Sequence, residues 1–338
     1  EGSIHQGKVS FTTFLEWKLR SLLPSIPIEI INFGKAGETS AHVLRKVKIA
    51  LKYNPDLFII YSGHNEFIRF DETTNTNLGI IEKIFNKSYL YSRLFKKVLA
   101  AFIDQIPLYI TEIRKLEDEP ICKPEEFKKI QEEYKGNITE IVRIAKNSNI
   151  EIILSNVVGN YEGWEPNRSI HKAGLSGEKL RRWRYHFFRG SDFLKEKKLE
   201  YAISEFKDAK KIDDSFAELN FLMARAYEEA GSFQEAKKEY INAVDNDGDP
   251  KIAPTLFRNA ILETCQNYKI PCMDVINAFE RVSEKSLIGY NIMVDAHHPN
   301  MLGELLIAKE IIRIMVDHNL IVPSQQWSFE NDRSDDWY

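Results

Sequence analysis

Apolar residues recur along most of the chain with either helical or strand spacing. Residues 9–23 place apolar side chains three and four apart before Pro24, which predicts a helix with one face in the core. The same amphipathic spacing predicts further helices at 40–51, 124–147, 255–268 and near the end of the chain. Short apolar runs predict four strands: Ile28–Gly34, Asp56–Tyr61, Glu151–Asn156 and Cys272–Ile276. Strands that alternate with helices in this way are typical of a parallel sheet.

Two stretches interrupt the alternation. Residues 70–123 are rich in Phe, Tyr, Leu and Lys, and we interpret them as an amphipathic helical insertion. Residues 183–250 contain an internal repeat with an offset of 34 residues, in which small and large side chains take equivalent positions: Gly190 and Ala224, Phe193 and Tyr227, Ala202 and Ala236, Phe206 and Tyr240, Ala209 and Ala243. This period resembles two tetratricopeptide repeats, which are pairs of antiparallel helices.

Composition narrows the class of protein. The chain has 338 residues, with 46 basic and 50 acidic side chains mixed along it and a formal net charge of -4, which argues against a nucleic-acid partner. Cys122, Cys265 and Cys272 have no CxxC spacing, so we expect idle or buried thiols rather than disulfides or a zinc site. No apolar run is long enough to predict a membrane span.

Candidate chemistry lies at three turns. Asp295 and His298 are three residues apart before the last predicted helix, a spacing at which a carboxylate reaches an imidazole nitrogen. Asn32–Thr39 and Ser62–Glu66 follow two predicted strands, where open α/β sheets bind their ligands. A glycine N–H and an asparagine amide at such ends can bind an anion. Each segment taken singly also fits an ordinary turn or a helix cap.

Taken together, these segments resemble the SGNH, or GDSL-like, hydrolase family, which is named for Ser, Gly, Asn and His in four separate blocks. The first block is similar to Gly2-Ser-Ile-His-Gln-Gly7, in the form found in relatives that carry tetratricopeptide repeats. The second is Asn32–Thr39, and the third is Gly63-His-Asn-Glu66. The last is Asp295-Ala-His-His298-Pro.

The resemblance implies a three-layer α/β/α fold with a flavodoxin-like parallel sheet and an inserted all-α module. It implies that Ser3 is the nucleophile, His298 the base and Asp295 the residue that orients the base. The oxyanion hole would consist of the backbone N–H groups of Ser3 and Gly37 and the side-chain amide of Asn65.

Other polar residues near these blocks have open roles. His297 competes with His298 as the base, although the register of the last block favours His298. His64, Glu66 and Asn156 are candidate substrate-binding residues, and the stretch from Ser155 to His171 is expected to line the cleft. No phosphate loop and no paired metal-ligand spacing occur in the sequence, so we predict neither cofactor nor metal.

The predicted organisation is a hydrolase domain that two segments build. Residues 1–182 form its first part, 183–250 form the repeats, 251–320 complete the hydrolase domain and 321–338 form a tail. The first strand of the family's fold would precede Ser3, so we expect the natural protein to continue upstream. Relatives with these repeats often carry an anchor there, which favours an extracytoplasmic, membrane-tethered bacterial protein.

The sequence therefore predicts a serine esterase or deacetylase that acts on a small-molecule or glycan ester, with an O-acyl glycan as one candidate. An O-acyltransferase with the same triad is the close alternative. From a different class, the chain would be a scaffold in which the repeats bind a protein partner and the hydrolase body is vestigial.

Overall fold

The structure is a computed structural model that describes residues 10–67 and 124–332. Ser3 and the predicted insertion at 70–123 lie outside the described residues. The described strands are β1 (Leu57–Tyr61), β2 (Glu151–Ser155) and β3 (Cys272–Met273). The described α-helices are α1 (Phe11–Leu22), α2 (Ser40–Ala50), α3 (Pro124–Asn147), α4 (Gly177–Lys195), α5 (Leu199–Ile212), α6 (Ala217–Glu229), α7 (Phe233–Asp245), α8 (Thr255–Tyr268), α9 (Val275–Val282) and α10 (Met301–Asp317). Short 3-10 turns occur at Leu51–Tyr53, His64–Phe67, Glu284–Ser286, Ser324–Gln326 and Phe329–Asn331.

The three described strands form one parallel sheet in the order β1-β2-β3. β1 and β2 pair over their full length, whereas β3 pairs with β2 through only two residues. The prediction of a parallel α/β sheet is confirmed, but the last strand is shorter than predicted. β3 ends early because α9 begins directly after it. Asp274 caps that helix by accepting a hydrogen bond from the Asn277 N–H at 3.3 Å.

The predicted strand at Ile28–Gly34 is not part of the described sheet. Its side chains do alternate at first, since Ile28 and Ile30 are half-buried against the core while Glu29 is exposed. A strand also requires backbone hydrogen bonds to a neighbour, and no described residue pairs with this segment. The predicted alternation of buried and exposed side chains is present. The prediction of a hydrogen-bonded strand is wrong for the described part of the chain.

Helices cover both faces of the sheet. On one face α2, α3 and α8 pack on Phe58, Ile60, Ile152 and Leu154. On the other face α1, α9 and α10 pack around Ile153 and Met273. This division follows from the strand period of two, because neighbouring residues of β2 point to opposite faces. The described core is therefore a helix–sheet–helix arrangement.

The four helices α4–α7 occupy the range of the predicted repeats. Within them, the equivalent small and large side chains share the same buried environment: Ala202, Phe206, Ala209, Ala236, Tyr240 and Ala243 are each at most 1% exposed. The segment before α4 ties this module to the body, since the carboxylate of Asp247 accepts the N–H groups of Asn167 and Arg168, both at 2.9 Å. Their identity as tetratricopeptide repeats stays a prediction.

Cys265 and Cys272 form a disulfide, so the expectation of idle thiols is wrong for this pair. The chain reverses at Lys269, which has a left-handed backbone with φ of 51°, and this brings the two Cα atoms to 5.8 Å.

Residues 321–332, predicted as a tail, pack on α1 through the buried Trp327 and an ion pair between Lys18 and Asp332. Among the described helices we find none with the length and hydrophobicity of a membrane span.

Candidate active site

Asp295 and His298 lie in a tight loop that the backbone closes. Val294 N–H donates to the carbonyl of His298 at 2.8 Å, next to an antiparallel bridge between Met293 and Pro299. Asn300 then caps α10, accepting the Gly303 N–H at 3.1 Å. The loop is therefore held at both ends, and the pair sits immediately before the N-terminus of a long buried helix.

The predicted hydrogen bond within the pair is present. His298 Nδ1 lies 2.9 and 3.0 Å from the two carboxylate oxygens of Asp295. The same carboxylate accepts the backbone N–H groups of His297 and His298 at 3.0 and 2.9 Å. Burial raises the pKa of Asp295, but these hydrogen bonds outweigh burial and hold the pKa below its ordinary value. An ionised carboxylate only accepts hydrogen bonds, so Nδ1 carries the proton and Nε2 is left as the basic nitrogen.

His297 lies between two other imidazole rings. Its ring centroid is 4.2 Å from that of His298 and 4.9 Å from that of His64, with which it is stacked. Burial, followed by the neighbouring His298, lowers the pKa of His297 to about 4. Only the backbone of His297 bonds to Asp295, whereas His298 bonds through its side chain. This difference favours His298 over His297 as the base.

His64 belongs to the third block and links it to the last one. It is 3% exposed, and its Nδ1 accepts the Ala253 N–H at 3.1 Å. Because a backbone N–H can only donate, neutral His64 has its proton on Nε2. Burial and the two neighbouring histidines lower the pKa of His64 well below its usual range. A buried ring with this packing favours a structural role over the predicted substrate contact.

The second and third blocks are joined by two separate contacts. Asn65 Nδ2 donates to the carbonyl of Glu38 at 3.2 Å. Glu66 accepts hydrogen bonds from Ser40, at the start of α2. Gly37, directly before Glu38, has φ of 77°, a conformation that favours glycine. Three of the four blocks are thus brought together in the described part of the chain: Gly37 beside Asn65, and His64 beside the Asp295–His298 loop.

Asn156 is buried, and its side-chain amide is hydrogen-bonded within the protein. It is 1% exposed, and its Nδ2 donates to Asp274 at 2.7 Å. Its Oδ1 accepts the N–H groups of Val275 and Ile276 at 3.0 and 3.4 Å. All three bonds hold the start of α9 against the end of β2, which favours a structural role over substrate binding.

The stretch expected to line the cleft divides into two parts. Asn160, which is fully buried, donates its N–H to the carbonyl of Ala296 at 2.9 Å and so supports the loop between Asp295 and His298. Farther along, His171 Nδ1 lies 2.7 Å from the carboxylate of Asp213, at the turn after α5. The second part therefore joins the helical module instead of the site. No local sequence signal distinguishes Asn160 from other loop asparagines, so its supporting role was missed.

The nucleophile predicted at Ser3 lies outside the described residues. The first described helix nevertheless starts close to the site, because Phe11 N–H donates to the buried carboxylate of Glu304 at 2.7 Å. Glu304 is in the first turn of α10, six residues after His298. The start of α1 is therefore held beside the first turn of the helix that follows the Asp295–His298 loop.

Asp295, His297 and His298 also offer three ligand atoms within 4.8 Å of one another, close enough to share a metal ion. However, both oxygens of Asp295 already accept hydrogen bonds from His298, and the backbone supplies two more. A metal would have to replace these bonds. The geometry fits an Asp–His pair better than a metal centre, and the absence of a metal stays a prediction.

Comparisons with known proteins give little beyond this geometry. No protein-family model matches the chain, and no curated protein does either. Among solved structures, the chain is similar to two variants of Axe2 from Geobacillus stearothermophilus. One is a tryptophan-to-isoleucine variant described as an acetyl-xylooligosaccharide esterase, at 14% identity. The other is a catalytic variant described as an acetylxylan esterase, at 13% identity. Each alignment covers 93% of this chain and 84% of the other, with a TM-score of 0.39. A TM-score of 0.39 carries no inference about function.

Proposed function

We propose that the protein is a serine esterase or deacetylase with Ser3 as nucleophile, His298 as base and Asp295 as the residue that orients the base. The observation that carries this proposal is the hydrogen bond between His298 Nδ1 and Asp295, at 2.9 Å, next to the segments that contain Gly37 and Asn65. Acyl transfer requires a base that a carboxylate orients, together with donors that can bind an oxyanion.

The proposed reaction has two steps. Ser3 Oγ attacks the ester carbonyl carbon while its proton moves to His298 Nε2, and the carbonyl oxygen becomes an oxyanion. The backbone N–H groups of Ser3 and Gly37 and the amide of Asn65 would bind that oxygen. The carbon–oxygen bond to the alcohol then breaks, and the alcohol takes the proton from His298, which leaves an acyl-enzyme. Water repeats the sequence and releases the acid, while ionised Asp295 stabilises the charged imidazole.

The proposed substrate is an O-acyl ester, with an acylated glycan as the candidate that the family resemblance supplies. The helical module α4–α7 is proposed to be a pair of tetratricopeptide repeats, which the buried small and large side chains at a constant offset support. Its contacts through Asp213 and Asp247 support a role in bracing the loop between the module and the site. It also remains the candidate surface for a protein partner.

Hydrolysis of a short-chain aryl acetate by the protein tests this proposal. Ser3→Ala and His298→Ala should each lower kcat by on the order of 10³-fold or more. The exposed residues Ser25 and His318 supply matched controls, since Ser25→Ala and His318→Ala change the same residue types away from the site. Wild-type rates in Ser3→Ala and His298→Ala would refute the enzyme and favour the scaffold. Adding a sugar acceptor and measuring free acetate against acetylated sugar separates a hydrolase from an acyltransferase.

A further inference from the structure

Glu66 directly follows the proposed oxyanion residue Asn65, and both of its carboxylate oxygens are in use. Oε1 accepts the backbone N–H of Ser40 at 2.6 Å. Oε2 accepts the hydroxyl of the same Ser40 at 2.9 Å. Both oxygens of the carboxylate are therefore hydrogen-bonded to the first residue of α2, and this geometry argues against the predicted substrate contact.

This contact is more than an ordinary helix cap. α2 already has a local cap, because the Thr39 N–H donates to His42 Nδ1 at 3.3 Å. Ser40 is fully buried, and its hydroxyl also accepts a hydrogen bond from Asn137 Nδ2 at 3.0 Å. Glu66 therefore joins the turn after β1 to the start of α2, and the same hydroxyl brings in α3.

The two contacts between these segments are only one or two residues apart. Asn65 bonds to Glu38, and Glu66 bonds to Ser40. Gly37 directly precedes Glu38 in the first segment. Asn65 makes its contact from the second segment. Two links at such a short separation fix both translation and rotation of one segment against the other. The distance between the Gly37 N–H and the Asn65 amide then depends on Glu66.

We propose that Glu66 is a positioning residue that sets the two oxyanion donors, the Gly37 N–H and the Asn65 amide, at the separation that the reaction needs. This inference rests on the proposed function of the same site. Donors to an oxyanion act in the transition state more than in the bound substrate, so a displaced donor lowers kcat. Burial raises the pKa of Glu66 to about 7 despite the bonds from Ser40, which agrees with an enclosed structural carboxyl group.

The experiment measures kcat and KM for aryl acetate hydrolysis with the full-length protein and four variants. Glu66→Ala should lower kcat about 10- to 100-fold while KM stays near its wild-type value, since a misplacement of about 1 Å can cost that much. Glu66→Gln keeps an acceptor for the Ser40 N–H and should recover most of the lost rate. Ser40→Ala removes only the hydroxyl bond and should give an intermediate kcat. Glu132→Ala, at an exposed position on α3, is the control and should match the wild type.

The outcomes separate this inference from the proposed function. If Ser3→Ala keeps the wild-type rate, the proposed function fails, and the role of Glu66 fails with it. If Ser3→Ala is inactive but Glu66→Ala has a wild-type kcat, only the Glu66 inference is overturned. A raised KM with an unchanged kcat would show that Glu66 binds substrate, which also overturns it. Should Glu66→Ala fail to fold, a wild-type kcat in Ser40→Ala would overturn it instead.

Discussion

Gly190 offers a direct test of how the first two helices of the module pack. It lies in α4 against α5, and a Cβ added there would lie 2.7 Å from two ring carbons of Phe206. Phe206 is fully buried, so its ring has little room to move away. Gly190→Ala therefore forces a contact that side chains essentially never make, although alanine is the better helix former.

The expected size follows from two opposing effects. Replacing glycine by alanine inside a helix stabilises it by about 1 kcal/mol. Overpacking a well-filled core costs about 1–3 kcal/mol. The net expectation for Gly190→Ala is a loss of about 1 kcal/mol. Gly136, exposed in the middle of α3 with nothing within 4 Å of an added Cβ, should show only the favourable effect and gain about 1 kcal/mol.

Urea denaturation followed by circular dichroism gives both free energies of unfolding. The two substitutions are chemically identical, so their difference of about 2 kcal/mol reports the contact with Phe206 and not helix propensity. If Gly190→Ala stabilises the protein as much as Gly136→Ala does, α4 and α5 do not pack as described. A double variant, Gly190→Ala with Phe206→Leu, should recover part of the loss if the clash is its cause.

Three further predictions concern carboxyl groups. Burial raises the pKa of Asp213, but hydrogen bonds from His171 and Ser215 outweigh it and lower the pKa from 3.8 to about 2. The wild type should therefore lose about 2 kcal/mol of stability as the pH falls from about 4 to 2. Urea titrations at several pH values should show this loss, and Asp213→Asn should not. Burial raises the pKa of Glu66 from 4.5 to about 7, so the folded state binds the Glu66 carboxyl proton more tightly than the unfolded state does. Stability should therefore fall by about 3 kcal/mol as the pH rises from about 4.5 to 7. An unchanged pH dependence in Glu66→Gln would contradict this assignment. Asp295→Asn should lower kcat for ester hydrolysis by about 10³-fold or more, because the amide no longer secures the Nδ1–H form of His298. A wild-type kcat would refute the Asp–His pair.

Features that depend on neighbours in the chain were predictable from the sequence alone. The helical spacing placed α1, α3, α8 and α10 close to their observed positions, and the apolar runs located β1 and β2. The link between Asp295 and His298 belongs to the same class, because the two residues share one turn and their contact needs no other part of the molecule. Likewise, the equivalent buried positions of α4–α7 follow from a local pattern that occurs twice.

Tertiary structure alone decided which distant residues meet. The sequence does not show that His64 stacks on His297, or that Glu66 bonds to Ser40, because these contacts join segments that are far apart in the chain. The Cys265–Cys272 disulfide joins residues only seven apart, but it depends on a left-handed reversal at Lys269 that the apolar pattern does not indicate. The alternation of Ile28–Gly34 likewise describes one half-buried face but not a hydrogen-bonded neighbour. Periodicity reports which side of a segment is buried, whereas partners are set by how the segments pack.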